Sequence, residues 1–105
     1  MSLSTSEKKS LRQIAHHLGA VVTVGDQGVS PGVLAEAERA LTDHELIKVK
    51  LAIGERDARK SAADSLAAAC SAEVVQSIGK VIVLYRANPK PNVKLSNVAR
   101  YAGPR

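Results

Sequence analysis

The fold is decided by residues 21–31, which read VVTVGDQGVSP. The β-branched run at 21–24 is typical of a short buried strand. Gly25 and Gly28 then bracket a tight loop, Gly25-Asp26-Gln27-Gly28. Ser30 can cap a helix, and Pro31 suits its first position. This succession of strand, glycine-flanked loop and capped helix predicts an α/β fold with an exposed loop at one end of the strand.

The segments on either side of this stretch extend the same alternation. A capping box at Ser4–Glu7 and apolar residues at helical spacing predict a first helix over 5–18, and a second helix runs from 31 to about 43. Apolar residues alternate over 46–53, which predicts a strand with one core face. The predicted later elements are a helix over 56–70 and strands over 74–78 and 81–85, joined at Gly79-Lys80.

The predicted order is therefore αβαβαββ, in a single compact α/β domain with a mixed four-stranded sheet and helices packed on it. The helices between the first three strands favour parallel neighbours, and the final hairpin adds an antiparallel pair. With 105 residues and 45% hydrophobic content, the chain can bury one modest core. Since Phe and Trp are absent and Tyr occurs twice, aliphatic side chains must form that core.

The net charge of +5 is concentrated near the C-terminus. Residues 1–86 hold 11 basic and 10 acidic side chains, whereas residues 87–105 hold four basic side chains and no acidic one. We therefore divide the chain into a domain over 1–88 and a basic, proline-containing tail over 89–105, for which we expect no regular structure. Such a tail favours a polyanionic partner, although it could simply improve solubility.

Several classes of protein are not expected from this sequence. The lone Cys70 cannot form an internal disulfide, and we find neither a signal peptide nor a membrane-spanning apolar run. His16 and His17 are adjacent on a helix and cannot easily share a metal, while His44 lacks a nucleophile to assist. We expect a cytoplasmic protein that is not an enzyme, with no catalytic residues, no metal, no cofactor, no small-molecule substrate and no membrane partner.

The loop at 25–28 can bind phosphate. Glycine lets the backbone approach a ligand closely, and loop amides with a helix N-terminus favour an anion. A GxxG loop clamps the nucleotide backbone in KH-type RNA readers. The alternative is a plain strand-to-helix turn, and Asp26 places a negative charge where a phosphate would sit.

Basic side chains in the predicted strands offer further phosphate contacts. Lys48 and Lys50 are two residues apart on one strand and so project from the same face. Lys80 in the hairpin turn and Arg86 after the last strand could extend this surface. The alternative is a solvated sheet face or a protected edge strand. The scarcity of aromatic side chains argues against base stacking as the main source of affinity.

Four stretches together resemble the CRM domain (chloroplast RNA splicing and ribosome maturation) family in its stand-alone bacterial YhbY-type form. They are residues 11–16 (LRQIAH), 21–28 (VVTVGDQG), 44–50 (HELIKVK) and 78–86 (IGKVIVLYR). The resemblance covers roughly residues 3–88. It implies a fold similar to the C-terminal domain of translation initiation factor three. It also implies RNA contacts at Gly25, Asp26, Gln27, Gly28, Arg12, Lys48, Lys50, Lys80 and Arg86.

The resemblance further implies association with ribosomal RNA and precursors of the large ribosomal subunit. We therefore expect a monomeric RNA-binding protein that recognises the RNA backbone. A protein-interaction module that docks on a ribosomal protein or another acidic partner is the alternative.

Overall fold

The structure, a computed structural model, describes residues 3–102 and has four helices and four strands in that range. The helices are α1 (Thr5–Ala15), α2 (Pro31–His44), α3 (Arg56–Ala69) and α4 (Asn97–Ala102). The strands are β1 (Ala20–Val24), β2 (Leu46–Leu51), β3 (Glu73–Ile78) and β4 (Val81–Tyr85). The predicted αβαβαββ order and the mixed sheet are confirmed. Two predicted elements were too long, since α1 ends at Ala15 and β2 ends at Leu51.

The four strands form one sheet in the order β1-β2-β4-β3. β1 and β2 are parallel, and β4 is antiparallel to both β2 and β3. The expectation that the first three strands are parallel neighbours was wrong for β3, because β4 lies between it and β2. The physical reason is that Ile82, Val83 and Leu84 are all buried, so β4 needs cover on both faces and occupies the centre.

Each face of the sheet has its own apolar core. α2 and α3 cover one face, where Leu41 and Leu66 pack with the inward side chains of β1, β2 and β4. On the other face, α1 packs through Leu11 and Ala15 over Leu46 and its neighbours. We call this second surface the α1 face. Because α1 is short, it covers only part of the α1 face, and Lys50 on β2 stays exposed.

The C-terminal segment is folded onto the domain, which corrects the expectation of a tail without regular structure. Asn97 begins α4, and Val98 joins the core of the α1 face. The buried carboxylate of Glu45 accepts hydrogen bonds from the Ser96 hydroxyl (2.6 Å) and the Asn88 amide (2.7 Å). The prolines do halt regular structure locally. The chain beyond them nevertheless returns to the sheet, because Glu45 provides a charged acceptor there.

Candidate RNA-binding surface

Three connections meet at one end of the sheet, which we call the loop end. They are the GxxG loop at 25–28, the β2–α3 connection at 52–55 and the β3–β4 turn at Gly79-Lys80. The Ala52 amide donates to the Val24 carbonyl (2.7 Å), and the Leu51 amide donates to the Lys80 carbonyl (2.6 Å). These bonds hold the three connections side by side. Parallel β1 and β2 both end here, and this edge is where open α/β sheets commonly bind ligands.

The GxxG loop is a closed turn that projects into solvent. The Gly28 amide donates to the Gly25 carbonyl (2.9 Å), with Asp26 and Gln27 exposed at the tip. Gly28 has a φ of +79°, a backbone conformation that favours glycine. Gly25 lacks such a φ, and a Cβ added to it would meet no atom within 4 Å. The fold therefore requires glycine at position 28 but not at 25, where a ligand can approach the bare backbone.

Fewer backbone amides are available at the loop than the sequence suggested. The Gly28 amide is used within the turn. At the start of α2, Pro31 has no N–H and the Ser30 hydroxyl accepts from the Val33 amide (3.2 Å). The Gly32 amide is left as the first-turn donor of α2. A phosphate at this place would have to rely on lysine side chains as well as on amides.

Two of the predicted lysines lie at the loop end, and a third adjoins it. Lys50 pairs with Thr23 on one side and Val81 on the other, so it lies between the strand that leads into the GxxG loop and the strand that leaves the turn. Both Lys50 and Lys80 are exposed. Lys48 lies one pleat further back on the α1 face and is half-buried.

Arg12 lies on α1, away from the loop itself. It is one helical turn before His16, and residues so spaced share a helix face. His16 and Lys48 border the same shallow hollow on the α1 face. Arg12 thus lies on α1, on the helix face of His16, and not at the GxxG loop.

Arg86 lies at the opposite end of the sheet, which corrects its grouping with the loop. Its guanidinium donates to the Glu38 carboxylate (2.8 Å), the Cys70 carbonyl (2.9 Å) and the Thr42 hydroxyl (3.0 Å). These contacts tie β4 to α2 and to the end of α3. Arg86 therefore holds these elements together, and its position after the last strand could not reveal these acceptors in the sequence.

The sequence analysis missed a second group of basic residues near the loop end. Arg56, Arg59 and Lys60, in the first turns of α3, line a cleft against the β3–β4 hairpin. Arg59 donates to the carbonyls of Ile53 and Gly54, and Lys60 pairs with Asp64 at 3.3 Å. The sequence could have indicated their position, because the helix that follows β2 must begin at the edge of the sheet where the parallel strand β1 also ends.

The opposite end of the sheet carries side chains of both charges. A wide hollow there is bordered by the carboxylates of Glu7 and Glu73. Burial, reinforced by the negative charges of Glu45 and Glu7, raises the pKa of the nearby Tyr85 hydroxyl. Glu73 pairs with Lys8 there (3.4 Å) and Arg86 also borders the hollow, whereas Lys50 and Lys80 at the loop end are exposed.

The structure gives His44 a role in packing the C-terminal segment. The Nδ1 atom of His44 lies 2.9 Å from the carbonyl oxygen of Leu95, so this contact helps to hold the C-terminal segment on the domain. Within residues 3–102, no three His, Cys, Asp or Glu side chains are arranged to hold a metal ion. In the same range, none of the helices has the length and apolarity to cross a bilayer.

The fold and the loop end define a small mixed α/β domain that presents a GxxG turn beside lysines. The sequence profile of the CRS1/YhbY (CRM) domain matches residues 3–86, and the chain belongs to this family. It is similar to a Pseudomonas aeruginosa protein described as a probable RNA-binding protein (54% identity; 98% of this chain and 99% of the relative). A Haemophilus influenzae RNA-binding protein is 43% identical over 90% of this chain and 95% of its own.

A solved structure supports the same assignment. The solution structure of a hypothetical Staphylococcus aureus protein, described as a candidate RNA-binding protein, superposes with a TM-score of 0.75. Its sequence is 31% identical, and the match covers 85% of this chain and 93% of that one. The predicted family is thereby confirmed.

Proposed function

We propose that this protein binds RNA through the sugar-phosphate backbone, with the GxxG loop, Lys50 and Lys80 as the central contacts. The observation that carries the proposal is the meeting of these elements at the loop end, where two backbone hydrogen bonds lock the three connections together. Lys48 and Arg12 extend the positive surface along the α1 face. The names of the relatives support RNA as the ligand, and no catalytic role is proposed for any residue.

The chemistry of the loop end suits backbone recognition. Lysine ammonium groups contact phosphates without reading sequence, and the unobstructed Gly25 lets a phosphate approach the main chain. Asp26 is exposed at the tip and opposes this attraction. The loop should therefore contribute shape and close approach, while the lysines contribute most of the charge.

We further propose that the RNA is ribosomal, within precursors of the large subunit, and that the protein acts in the cytoplasm as a monomer. This finer assignment is supported by the resemblance to stand-alone bacterial members of the CRM family. Crosslinking in cells, followed by sequencing of the attached RNA, tests it directly. Reads that do not concentrate on large-subunit ribosomal RNA would overturn the assignment but leave RNA binding intact.

The salt dependence of binding tests the backbone contacts. On single strands, each neutralised phosphate contributes about −0.7 to the slope of log affinity against log salt. Changing Lys48 and Lys50 to Ala should flatten the slope by about 1.4 and lower affinity across many sequences. The matched control changes Lys90 and Lys94, two exposed lysines of the segment held by Glu45, to Ala and should have a smaller effect.

Two outcomes would refute this proposal. The first is an affinity that responds neither to the Lys48 and Lys50 changes nor to added salt. The second is an equal loss of affinity in the control variant, which would show that net charge matters and the loop end does not. If a partner protein were retained after nuclease digestion of all RNA, the protein-interaction function would be favoured instead.

A further inference from the structure

The uncovered part of the α1 face contains a hollow that phosphate binding does not explain. It lies beside the end of α1 and crosses strands β2, β4 and β3, with a volume of about 210 Å³. Its lining consists of Ala15, His16, Lys48, Gln76, Ile78, Val81 and Val83. We infer that this hollow holds one unpaired nucleobase of the bound RNA, an inference that rests on the proposed function.

The floor of the hollow is aliphatic and open to solvent. Val83 is buried beneath it and Val81 is half-buried, while Ile78 at the rim is 63% exposed. A large apolar side chain left this exposed, next to a hollow, marks a contact surface for another molecule. The flat face of an unpaired base can cover such a floor, because extruded bases stack against aromatic or apolar side chains.

The rim supplies polar groups suited to the edge of a base. Gln76 is half-buried, and its side-chain amide makes no hydrogen bond to the part of the protein that the structure describes. This amide carries both donors and an acceptor, which match the mixed pattern on a base edge.

Charge favours a nucleotide over an apolar protein segment as the occupant. The residues that line the hollow include Lys48 and His16 but no carboxylate. Val81, which forms part of the lining, pairs directly with Lys50 at the loop end. A phosphate held by Lys50 would therefore place its own base or the adjacent base over the hollow, whereas an apolar peptide would gain nothing from Lys48 and Lys50.

The inference is tested by combining protein variants with RNA that lacks bases. The probes are a short single-stranded RNA of mixed sequence and its abasic analogue, which keeps every phosphate. The variants are Gln76→Ala and Ile78→Ser. The matched control is Val21→Ser, which changes an aliphatic side chain that is 53% exposed on β1 and lies outside the hollow.

The wild-type protein should bind the abasic RNA about tenfold more weakly than the intact RNA, as expected for the loss of one base contact. The Gln76 and Ile78 variants should lose affinity for intact RNA only, and Val21→Ser should behave as wild type. The Ile78 methyl NMR signal should shift on adding intact RNA and remain unchanged with the abasic analogue. Circular dichroism verifies that each variant is folded. If Ile78→Ser does not fold, the Gln76→Ala variant carries the test alone.

The outcomes separate this inference from the proposed function. Equal binding of both RNAs by the wild type, with a steep salt dependence, would overturn the nucleobase site and leave backbone binding in place. The nucleobase site would also be refuted if the variants weakened binding to both RNAs equally. An absence of binding to either RNA would overturn the proposed function and this inference together.

Discussion

The two glycines of the GxxG loop should respond in opposite ways to the same substitution. Gly25→Ala places a methyl group in open space at an ordinary φ, whereas Gly28→Ala forces alanine to a φ of +79°. If the loop is only a strand-to-helix turn, Gly25 has no reason to be glycine. If RNA approaches the backbone at this point, the methyl group at position 25 obstructs the ligand and not the fold.

The magnitudes follow from the backbone conformations. Alanine at position 25 should stabilise the protein by about 0.4–1 kcal/mol, because it restricts the unfolded chain without strain in the native one. Alanine at position 28 should cost about 1–2 kcal/mol, which is the penalty for a left-handed conformation. In a domain of this size, 1 kcal/mol corresponds to a shift in Tm of roughly 4–8 °C.

Thermal denaturation and RNA titration together check this prediction. The Tm of Gly25→Ala should equal or exceed that of the wild type, while its RNA affinity falls. Gly28→Ala should have a lower Tm. The reasoning would be refuted if Gly25→Ala bound RNA as tightly as the wild type, or if the Gly25 variant proved less stable than the Gly28 variant.

Three further predictions concern stability away from the loop end. Ser96→Ala removes the buried hydroxyl that donates to Glu45 at 2.6 Å. The free energy of unfolding, measured by urea titration, should therefore fall by about 1.5–3 kcal/mol. An unchanged urea midpoint would contradict the docking of the C-terminal segment through this bond. Arg86→Met should lower the free energy of unfolding by a similar amount and leave the RNA affinity of the folded protein unchanged. A reduced RNA affinity at unchanged stability would instead indicate that Arg86 contacts RNA. Burial, with the charges of Glu45 and Glu7, raises the pKa of Tyr85 above its ordinary value of 10.0. The unfolded chain therefore releases this proton first, and the resulting stability is complete below pH 10 and lost as the pH rises through the native pKa. Tyr85→Phe should reduce the loss of stability in urea titrations above pH 10, and an identical pH profile would argue against the shift.

Local signals in the sequence were sufficient to place most elements. Ser4 and Ser30 cap α1 and α2 as predicted, and β4 spans the predicted residues 81–85. These features depend on neighbouring residues, whose spacing is visible in the chain. The GxxG loop and the alternation around Lys48 and Lys50 are also local, which is why the loop end could be anticipated.

The misplaced features all depend on contacts between distant parts of the chain. Arg86 is fixed by acceptors on α2 and after α3, and α4 is fixed by Glu45, 51 residues before Ser96. No local sequence pattern predicts hydrogen-bond partners that lie so far apart in the chain. The central position of β4 in the sheet could in part be predicted from the sequence, because an unbroken apolar run is typical of a strand covered on both faces.

The central place of β4 has a consequence for how the chain acquires its structure. The last strand to be synthesised is the one that joins β2 to β3, so a chain that stops before Val81 holds strands with no partner between them. Folding must wait until nearly the whole domain is available, and its long-range pairings favour a slow, cooperative transition. A truncation that removes β4 should therefore abolish the domain in one step, without a stable N-terminal half.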